Sequence, residues 1–126
     1  MKHLIFVYGA LRPGASNAWR MADGKAIGSG SVEGVMVKVD WYPGVVLGGG
    51  ARVVGEVYEV DDELLARLDE FEGVGLADER NGEYQRVRVQ VAMDNGDELE
   101  TWIYEWQLGT DRYEVVMSGD WLTVKL

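Results

Sequence analysis

The sequence predicts a strand-dominated α+β domain, either a curled sheet or a small barrel, with one helix packed against it. Two observations favour this class. About six segments have the alternating or wholly apolar pattern of strands, whereas one segment has a clear helical period. The 126 residues, 47% of them hydrophobic, can bury one compact core, so residues 1–126 are predicted to form a single domain.

The first half of the chain contains four of the predicted strands. Residues 4–8 are apolar on both faces, which predicts a strand in the middle of the sheet. A short helical turn is expected within residues 16–23, because the glycines that follow stop any longer helix. The glycine triplet at residues 48–50 is expected to separate two strands. The three further strands are predicted at residues 32–39, 45–47 and 53–60.

The second half begins with the clearest element, a helix over residues 61–72. Asp61 is its N-cap candidate, and the acidic side chains after it suit the positive end of the helix dipole. A hairpin follows, because strand patterns at residues 87–93 and 99–106 flank a turn signal at residues 94–96.

Three aromatic side chains share one face of the second hairpin strand, namely Trp102, Tyr104 and Trp106. Such a wall can line a hydrophobic core or a ligand pocket, and the pattern favours neither. The hairpin therefore offers a candidate wall for a site without locating the site.

Composition excludes several classes of partner. The net charge of −10 and the pI near 4.4 would repel a phosphate backbone, so no nucleic-acid partner is expected. The chain has no cysteine and a single histidine, His3, so neither a metal site nor a thiolate nucleophile is predicted. The apolar run at residues 4–8 is too short for a secretory segment or a membrane span, which predicts a cytoplasmic protein without a membrane partner.

The predicted helix places one carboxylate where an apolar side chain is expected. At about 100° per residue, an apolar sector is defined by Leu64, Leu65, Leu68 and Phe71. Glu72 lies inside that sector, whereas Glu70 lies on the opposite side of the helix. A carboxylate in an apolar sector loses solvation, which raises its pKa toward the range in which it exchanges protons near neutral pH. Glu72 is therefore the candidate general acid and base.

The position of Glu72 also has a purely structural interpretation. Gly73 follows directly, and glycine commonly ends helices, so a frayed last turn would let the carboxylate reach solvent. The negative end of the helix dipole still disfavours the charge there, by about 0.3 to 1 kcal/mol. The sequence leaves both interpretations open.

The first predicted strand leads into a loop, residues 7–14, that contains two glycines and a proline. The loop is either a sharp turn that leaves a core strand or a cradle of backbone N–H groups for an anion. A nucleotide-type phosphate loop is the weakest interpretation, because the Gly-Lys-Ser/Thr ending and a basic environment are both missing.

Two motifs together carry a family resemblance. With Tyr-Gly-Ala-Leu at residues 8–11 and Leu-Asp-Glu-Phe-Glu-Gly at residues 68–73, the chain resembles the gamma-glutamylcyclotransferase-like superfamily. It looks most similar to the short bacterial and archaeal members related to gamma-glutamylamine cyclotransferase. Further matching segments lie at Arg12, Gly14 and Asn17 and at residues 55–58, 84–86, 103–104 and 119–121.

The resemblance implies a mixed, barrel-like β-sheet with one principal helix and short helical turns. It implies that Tyr8, Gly9, Ala10 and Leu11 bind a gamma-glutamyl group and that Glu72 carries the proton. In the implied reaction, the α-amino group of a gamma-glutamyl unit attacks its own δ-carbonyl carbon, which yields 5-oxoproline and a free amine. The partner is then a small gamma-glutamyl substrate, with no metal or cofactor.

Two tyrosines are expected near this site. Tyr104 would border the pocket and Tyr84 would support it, and a core position is the alternative for both. Ala10 departs from the family pattern, in which Ser or Thr is common, so one hydroxyl contact is missing while backbone donors remain.

A noncatalytic small-molecule binding or interaction domain on the same scaffold is the competing functional hypothesis. The retained Glu72 disfavours it, because a pure binder has no need of a carboxylate in an apolar sector. Residues 74–83 are either a specificity loop or a solvated connection. Neither the released amine nor the oligomeric state can be predicted.

Overall fold

The computed structural model describes residues 1–74 and 82–125. Residues 75–81, within the predicted specificity loop, lie outside the described residues. The helical elements are α1 (Asp62–Glu72) and two short 3-10 helices, Ala18–Met21 and Trp121–Thr123. The strands are β1 (Lys2–Val7), β2 (Lys25–Lys38), β3 (Pro43–Asp61), β4 (Tyr84–Met93), β5 (Glu98–Trp106) and β6 (Glu114–Val115).

Five of the strands close into a barrel. β1 lies between β3, to which it is antiparallel, and β5, to which it is parallel. β5 then pairs with β4, β4 with β2, and β2 with β3, all antiparallel, which closes the ring. β6 pairs with the end of β2 outside the ring. The predicted mixed, barrel-like sheet is confirmed, and so is the central place of the first strand.

The second strand is longer than predicted, because β2 begins at Lys25 and not at residue 32. The glycines in its first half permit contact between strands. A Cβ atom at Gly30 would lie 2.8 Å from the carbonyl oxygen of Ala92, at the point where β2 pairs with β4. Glycine is needed here for the close approach that closes the barrel, so it does not interrupt the strand.

The strands predicted at residues 45–47 and 53–60 form one continuous strand, β3, so the predicted separation is wrong. The ladder with β2 jumps from the pair Glu33 and Arg52 to the pair Gly34 and Leu47, which leaves residues 48–51 bulged out of it. All three glycines of the triplet have positive φ, between 81° and 90°. The triplet therefore makes a bulge within the strand.

Helix α1 begins and ends on the residues that the sequence indicates. The Asp61 side chain caps it by accepting a hydrogen bond of 2.8 Å from the Leu64 N–H, so the helix itself begins at Asp62. Gly73 ends it in the left-handed conformation, with φ of 76°, and its N–H bonds back to the last helical turn. The side chains of Leu64 and Leu68 are buried and hold the helix against the barrel.

The predicted hairpin is confirmed, with β4 and β5 joined by a turn at residues 94–96. Gly96 adopts the positive φ of 95° that such a turn needs. The register of this hairpin places Arg86 directly opposite Tyr104. Strand β6 and the second 3-10 helix were not predicted, because two- and three-residue elements carry no sequence period.

Two hydrophobic clusters lie on the two sides of β1. Ile5 and Val7 belong to the cluster under helix α1, whereas Phe6 and Tyr8 belong to the cluster enclosed by the barrel. The aromatic wall of β5 joins the first cluster, where Trp106 is only 2% exposed. The two clusters meet at the end of β1, and the candidate site lies there.

Candidate active site

The loop after β1 is a compact turn at the top of the barrel. All residues from Tyr8 to Leu11 are buried. The Arg12 N–H donates to the carbonyl oxygen of Gly9 at 3.0 Å, and the Asn17 N–H donates to that of Ala10 at 2.8 Å. A Cβ atom at Gly9 would lie 2.7 Å from the ring of Pro43, so glycine allows the loop to lie against the start of β3.

A cavity of about 150 Å³ opens beside this loop. Every residue that the sequence nominated for the site lines it. Tyr8, Gly9, Ala10 and Leu11 contribute from the loop, Glu72 from helix α1, Tyr84 from β4 and Tyr104 from β5. The described lining is completed by Phe6, Val7, Trp41, Tyr42, Pro43, Phe71 and Glu83.

Glu72 reaches the cavity because it is the last residue of α1 and is half-buried. Gly73 turns the chain away immediately after it. The structural interpretation of Glu72 assumed a frayed last turn. That assumption is wrong, because the helix continues to Glu72 and is capped by Gly73. The side of the helix predicted for these residues agrees with the structure, because Glu72 and Phe71 line the cavity whereas Glu70 is exposed.

Three phenols surround the Glu72 carboxylate. Burial raises the pKa of Tyr8, Tyr84 and Tyr104 above the ordinary value for tyrosine, and the negative charge of Glu72 raises each further. For Tyr84 the neighbouring Tyr8 contributes more than Glu72 does, and for Tyr104 the hydrogen-bonded Asp69 does. All three phenols are therefore neutral at neutral pH.

Each of these phenols is fixed by a hydrogen bond to the surrounding frame. The Tyr8 hydroxyl donates to the carbonyl oxygen of Tyr104 at 2.6 Å, and the Tyr84 hydroxyl donates to that of Pro43 at 2.6 Å. The Tyr104 hydroxyl donates to Oδ1 of Asp69 at 2.7 Å. Tyr84 and Tyr104 are thus both core residues and cavity residues, so the two predicted alternatives are not exclusive.

A second group of residues adjoins the cavity through Tyr104, and the sequence did not predict it. We call it the Arg86 cluster; it consists of Arg86, Asp69 and Tyr104. Nε of Arg86 lies 2.9 Å from Oδ1 of Asp69, an ion pair without hydrogen-bond alignment. The guanidinium also stacks on the Trp102 ring at 4.2 Å from its centroid. Counting back from the hairpin turn would have placed Arg86 opposite Tyr104, which is the signal that could have found it.

A third group, the Arg12 cluster, consists of Arg12, Glu56 and Asp120. Nε and Nη2 of Arg12 donate to the two carboxylate oxygens of Glu56 at 2.9 and 3.0 Å, and Nη1 donates to Oδ1 of Asp120 at 2.7 Å. Burial opposes the charge of Arg12, but these hydrogen bonds outweigh it and raise the guanidinium pKa. The cluster ties the end of the cavity loop to β3 and to the C-terminal segment.

Two further observations on the described residues concern metal binding and membrane-spanning helices. In residues 1–74 and 82–125, no group of three or more His, Asp or Glu side chains is arranged to hold a metal ion. No helix in that part of the chain is long and apolar enough to cross a membrane.

The five-stranded mixed barrel with one helix is a fold that this chain shares with solved AIG2-like structures. The sequence model of the family described as gamma-glutamyl cyclotransferase, AIG2-like, matches residues 5–123. The chain belongs to that family.

Individual relatives agree with this assignment. The gamma-glutamylcyclotransferase family protein YtfP of Escherichia coli K12 is 35% identical over 119 residues, which cover 94% of this chain and 95% of YtfP. The gamma-L-glutamyl-butirosin B gamma-glutamyl cyclotransferase of Niallia circulans is 35% identical over 125 residues, 97% of this chain and 77% of that enzyme. The crystal structure of an AIG2-like protein from Mus musculus superposes with a TM-score of 0.75 at 27% identity. The matched region covers 98% of this chain and 84% of the mouse chain.

Proposed function

We propose that the protein is an intramolecular cyclotransferase that releases 5-oxoproline and a free amine from a gamma-glutamyl amine or peptide. Glu72 is the general base and acid in this proposal, and the loop at residues 8–11 binds the gamma-glutamyl group. The proposal includes no metal or cofactor, and it includes the cytoplasmic location expected from the N-terminal sequence.

One observation carries the proposal: Glu72 and residues 8–11 line the same cavity, although they are far apart in the sequence. The cavity volume of about 150 Å³ suits a group the size of glutamyl. Pockets for drug-sized ligands are larger, typically about 300–1,000 Å³. The mixed lining of phenols, backbone and carboxylates supports a compact polar substrate.

The proton steps need one group that first accepts and then donates. Glu72 removes a proton from the α-amino group as its nitrogen attacks the δ-carbonyl carbon and the ring C–N bond forms. Glu72 then gives this proton to the nitrogen of the leaving amine as the original amide C–N bond breaks. General acid–base catalysis of this kind contributes roughly 10²- to 10⁴-fold to the rate.

The loop has the complementary task of orientation. Both reacting groups belong to one substrate, so the enzyme must hold the glutamyl chain folded with the amine against the carbonyl carbon. The buried backbone of Gly9 and Ala10 can offer N–H dipoles to the α-carboxylate or the developing oxyanion. Ala10 offers no hydroxyl, so this chain relies on the backbone where many relatives have a side chain.

The test is substitution of the proposed proton carrier. Purified wild type and Glu72→Gln are incubated with gamma-glutamyl dipeptides, gamma-glutamyl amines, glutathione and gamma-glutamyl-lysine, and 5-oxoproline is quantified by mass spectrometry. Glu72→Gln should lose at least about 10²-fold in kcat on any accepted substrate, with an unchanged circular dichroism spectrum.

The control is Glu63→Gln, an exposed carboxylate in the first turn of the same helix, which should retain wild-type turnover. Wild-type turnover by Glu72→Gln would overturn the assigned role. Tight binding of some of these compounds by the wild type without any 5-oxoproline would instead favour the noncatalytic binding domain.

A further inference from the structure

We infer that the mouth of the cavity is a subsite for a cationic leaving amine, formed by Trp41, Tyr42 and Glu83. This inference rests on the proposed function, because the subsite would hold the half of the gamma-glutamyl substrate that is released. It concerns which amines are accepted and leaves the proton chemistry unchanged.

The cavity is lined by two carboxylates that have different neighbours. Among the described residues that line it, the charged ones are Glu72 and Glu83. Oε2 of Glu83 accepts a hydrogen bond of 3.3 Å from the hydroxyl of Tyr42, whose neighbour Trp41 is the exposed part of the lining, and this contact assigns Glu83 to the mouth. The ring centroids of Tyr42 and Tyr84 lie 6.4 Å apart. Burial raises the pKa of the Tyr84 phenol most, and the charges of Glu72 and Glu83 both add to this increase. Tyr84 therefore lies near both carboxylates, and the proposed proton steps need only Glu72.

The position of Glu83 is fixed on two sides. Its carbonyl oxygen accepts a hydrogen bond of 2.8 Å from the N–H of Gln107, which follows strand β5. Its side chain is held by Tyr42. A carboxylate fixed at the mouth of a cavity can bind a cation without first losing much conformational freedom.

Aromatic faces complete this outer subsite. Trp41 is 45% exposed, although it is a large apolar side chain, and its ring meets that of Tyr42 edge-on at 5.0 Å between centroids. Both rings line the cavity. Tryptophan and tyrosine faces attract ammonium groups, so this wall favours the same charge as Glu83 does. Asp40, next to Trp41, adds a further negative charge. Burial raises the pKa of Tyr42 most, Glu83 raises it further, and Asp40 adds a smaller contribution in the same direction.

Two described cations with contacts of their own are Arg20 and Lys38. Arg20 stacks on the Phe71 ring at 4.0 Å from its centroid, and its Nε donates to Oδ1 of Asn17 at 3.0 Å. Nζ of Lys38 donates to the carbonyl oxygen of Lys125 at 3.4 Å. Within residues 1–74 and 82–125, no Lys, Arg or His forms an ion pair with Glu83. A cationic substrate group would therefore meet a carboxylate that these side chains have not neutralised.

A matched pair of substrates tests the subsite. The gamma-glutamyl monoamide of 1,4-diaminobutane ends in an ammonium group, and the gamma-glutamyl amide of pentylamine has a methyl group in its place. Wild type should prefer the cationic amide by about tenfold in kcat/KM, as expected for one partly exposed ion pair plus a cation–π contact. Glu83→Gln should reduce this preference to about twofold by raising KM for the cationic amide alone.

The control variant is Glu98→Gln, an exposed carboxylate at the far end of strand β5, which should keep the wild-type preference. Equal kcat/KM for the two amides in the wild type, or an equal loss on both in Glu83→Gln, would overturn the subsite.

A binding measurement separates this inference from the proposed function. Glutaryl amides of the same two amines lack the α-amino group and cannot cyclise, so calorimetry reports their affinity for wild type and Glu83→Gln without turnover. If wild type binds the cationic glutaryl amide more tightly and Glu83→Gln loses this preference, the subsite is supported. This holds even if neither gamma-glutamyl amide yields 5-oxoproline, because that result would contradict only the proposed function. Turnover without a cation preference in either assay would defeat the subsite alone.

Discussion

The Arg12 cluster and the Arg86 cluster both border the candidate site, but they divide their charges differently. In the Arg12 cluster one guanidinium makes three hydrogen bonds to two carboxylates, and the Arg12 side chain is only 7% exposed. In the Arg86 cluster one guanidinium faces one carboxylate, which also accepts the phenol of a cavity residue. The Arg86 side chain is 23% exposed.

This difference separates a structural role from a role in the site. The Arg12 cluster satisfies its donors internally and joins three distant segments, so its removal should affect mainly the stability of the fold. The Arg86 cluster shares its acceptor with Tyr104, which lies beside Glu72 in the cavity. Its removal should therefore affect catalysis as well as stability.

The largest expected effect comes from breaking the Arg12 cluster. Arg12→Met leaves two partly buried carboxylates without their cation, which should lower the free energy of unfolding by about 3–5 kcal/mol. Urea denaturation followed by circular dichroism measures this loss. Arg67→Met is the matched control, because the ion pair of Arg67 with Asp23 is exposed and should contribute less than about 1 kcal/mol. A loss no greater than that of the control would show that the cluster does not anchor the loop.

An intermediate effect is expected from the Arg86 cluster. Asp69→Asn keeps an acceptor for the Tyr104 hydroxyl but leaves the charge of Arg86 without its carboxylate. We expect kcat/KM for 5-oxoproline release to fall by about tenfold, because the cavity wall shifts, while the free energy of unfolding falls by about 1–3 kcal/mol.

The pH dependence gives this prediction a second readout. An uncompensated Arg86 favours the ionised form of nearby carboxyl groups, so the acid limb of the kcat/KM profile should move to lower pH in Asp69→Asn. Glu63→Gln, on the same helix, should leave the profile in place. A profile identical to the wild type would mean that Asp69 acts on packing alone.

The smallest effect appears only at alkaline pH. Burial, then the hydrogen bond to Asp69, raises the pKa of Tyr104 above the ordinary value of 10.0. The unfolded chain therefore loses this proton first, so the stabilisation is complete below about pH 10 and is lost as the pH rises further. Tyr104→Phe should make the free energy of unfolding fall less steeply above pH 10, as measured by urea denaturation at a series of pH values.

The Arg12 cluster supplies the contrast for this measurement. Arg12 remains cationic over the same pH range in the unfolded chain, because the ordinary pKa of a guanidinium lies above that range, and in the folded chain, where its hydrogen bonds to carboxylates outweigh burial and raise the pKa further. Arg12→Met should lower stability by the same amount at pH 8 and pH 11. An unchanged slope for Tyr104→Phe would contradict the role assigned to the Tyr104 phenol.

Several features could be predicted because they depend on neighbours in the sequence. The helix from its Asp61 cap to Gly73 follows from local hydrogen bonding and from the period of Leu64 and Leu68. The same period placed Glu72 on the inward side. The hairpin of β4 and β5 follows from alternation and a turn that needs glycine at residue 96.

Other predictions were wrong because glycine gives the same local sequence pattern in different structural roles. At Gly30 the residue permits the approach of β4, and at residues 48–50 glycines bulge out of a continuous strand. From the sequence, both resemble places where a strand ends. The distinction depends on whether another strand lies alongside, and no local pattern carries that information.

By itself, the sequence determined the α+β class of the fold, the helix that presents Glu72, the loop that begins with Tyr8, and the family to which they belong. Only the tertiary structure decided that Arg12 binds Glu56 and Asp120, and that Glu83 lines the cavity. The reason is physical: helix period and turn conformation are set within a few residues. Ion pairs and cavity walls, in contrast, form between segments that come together only when the barrel closes.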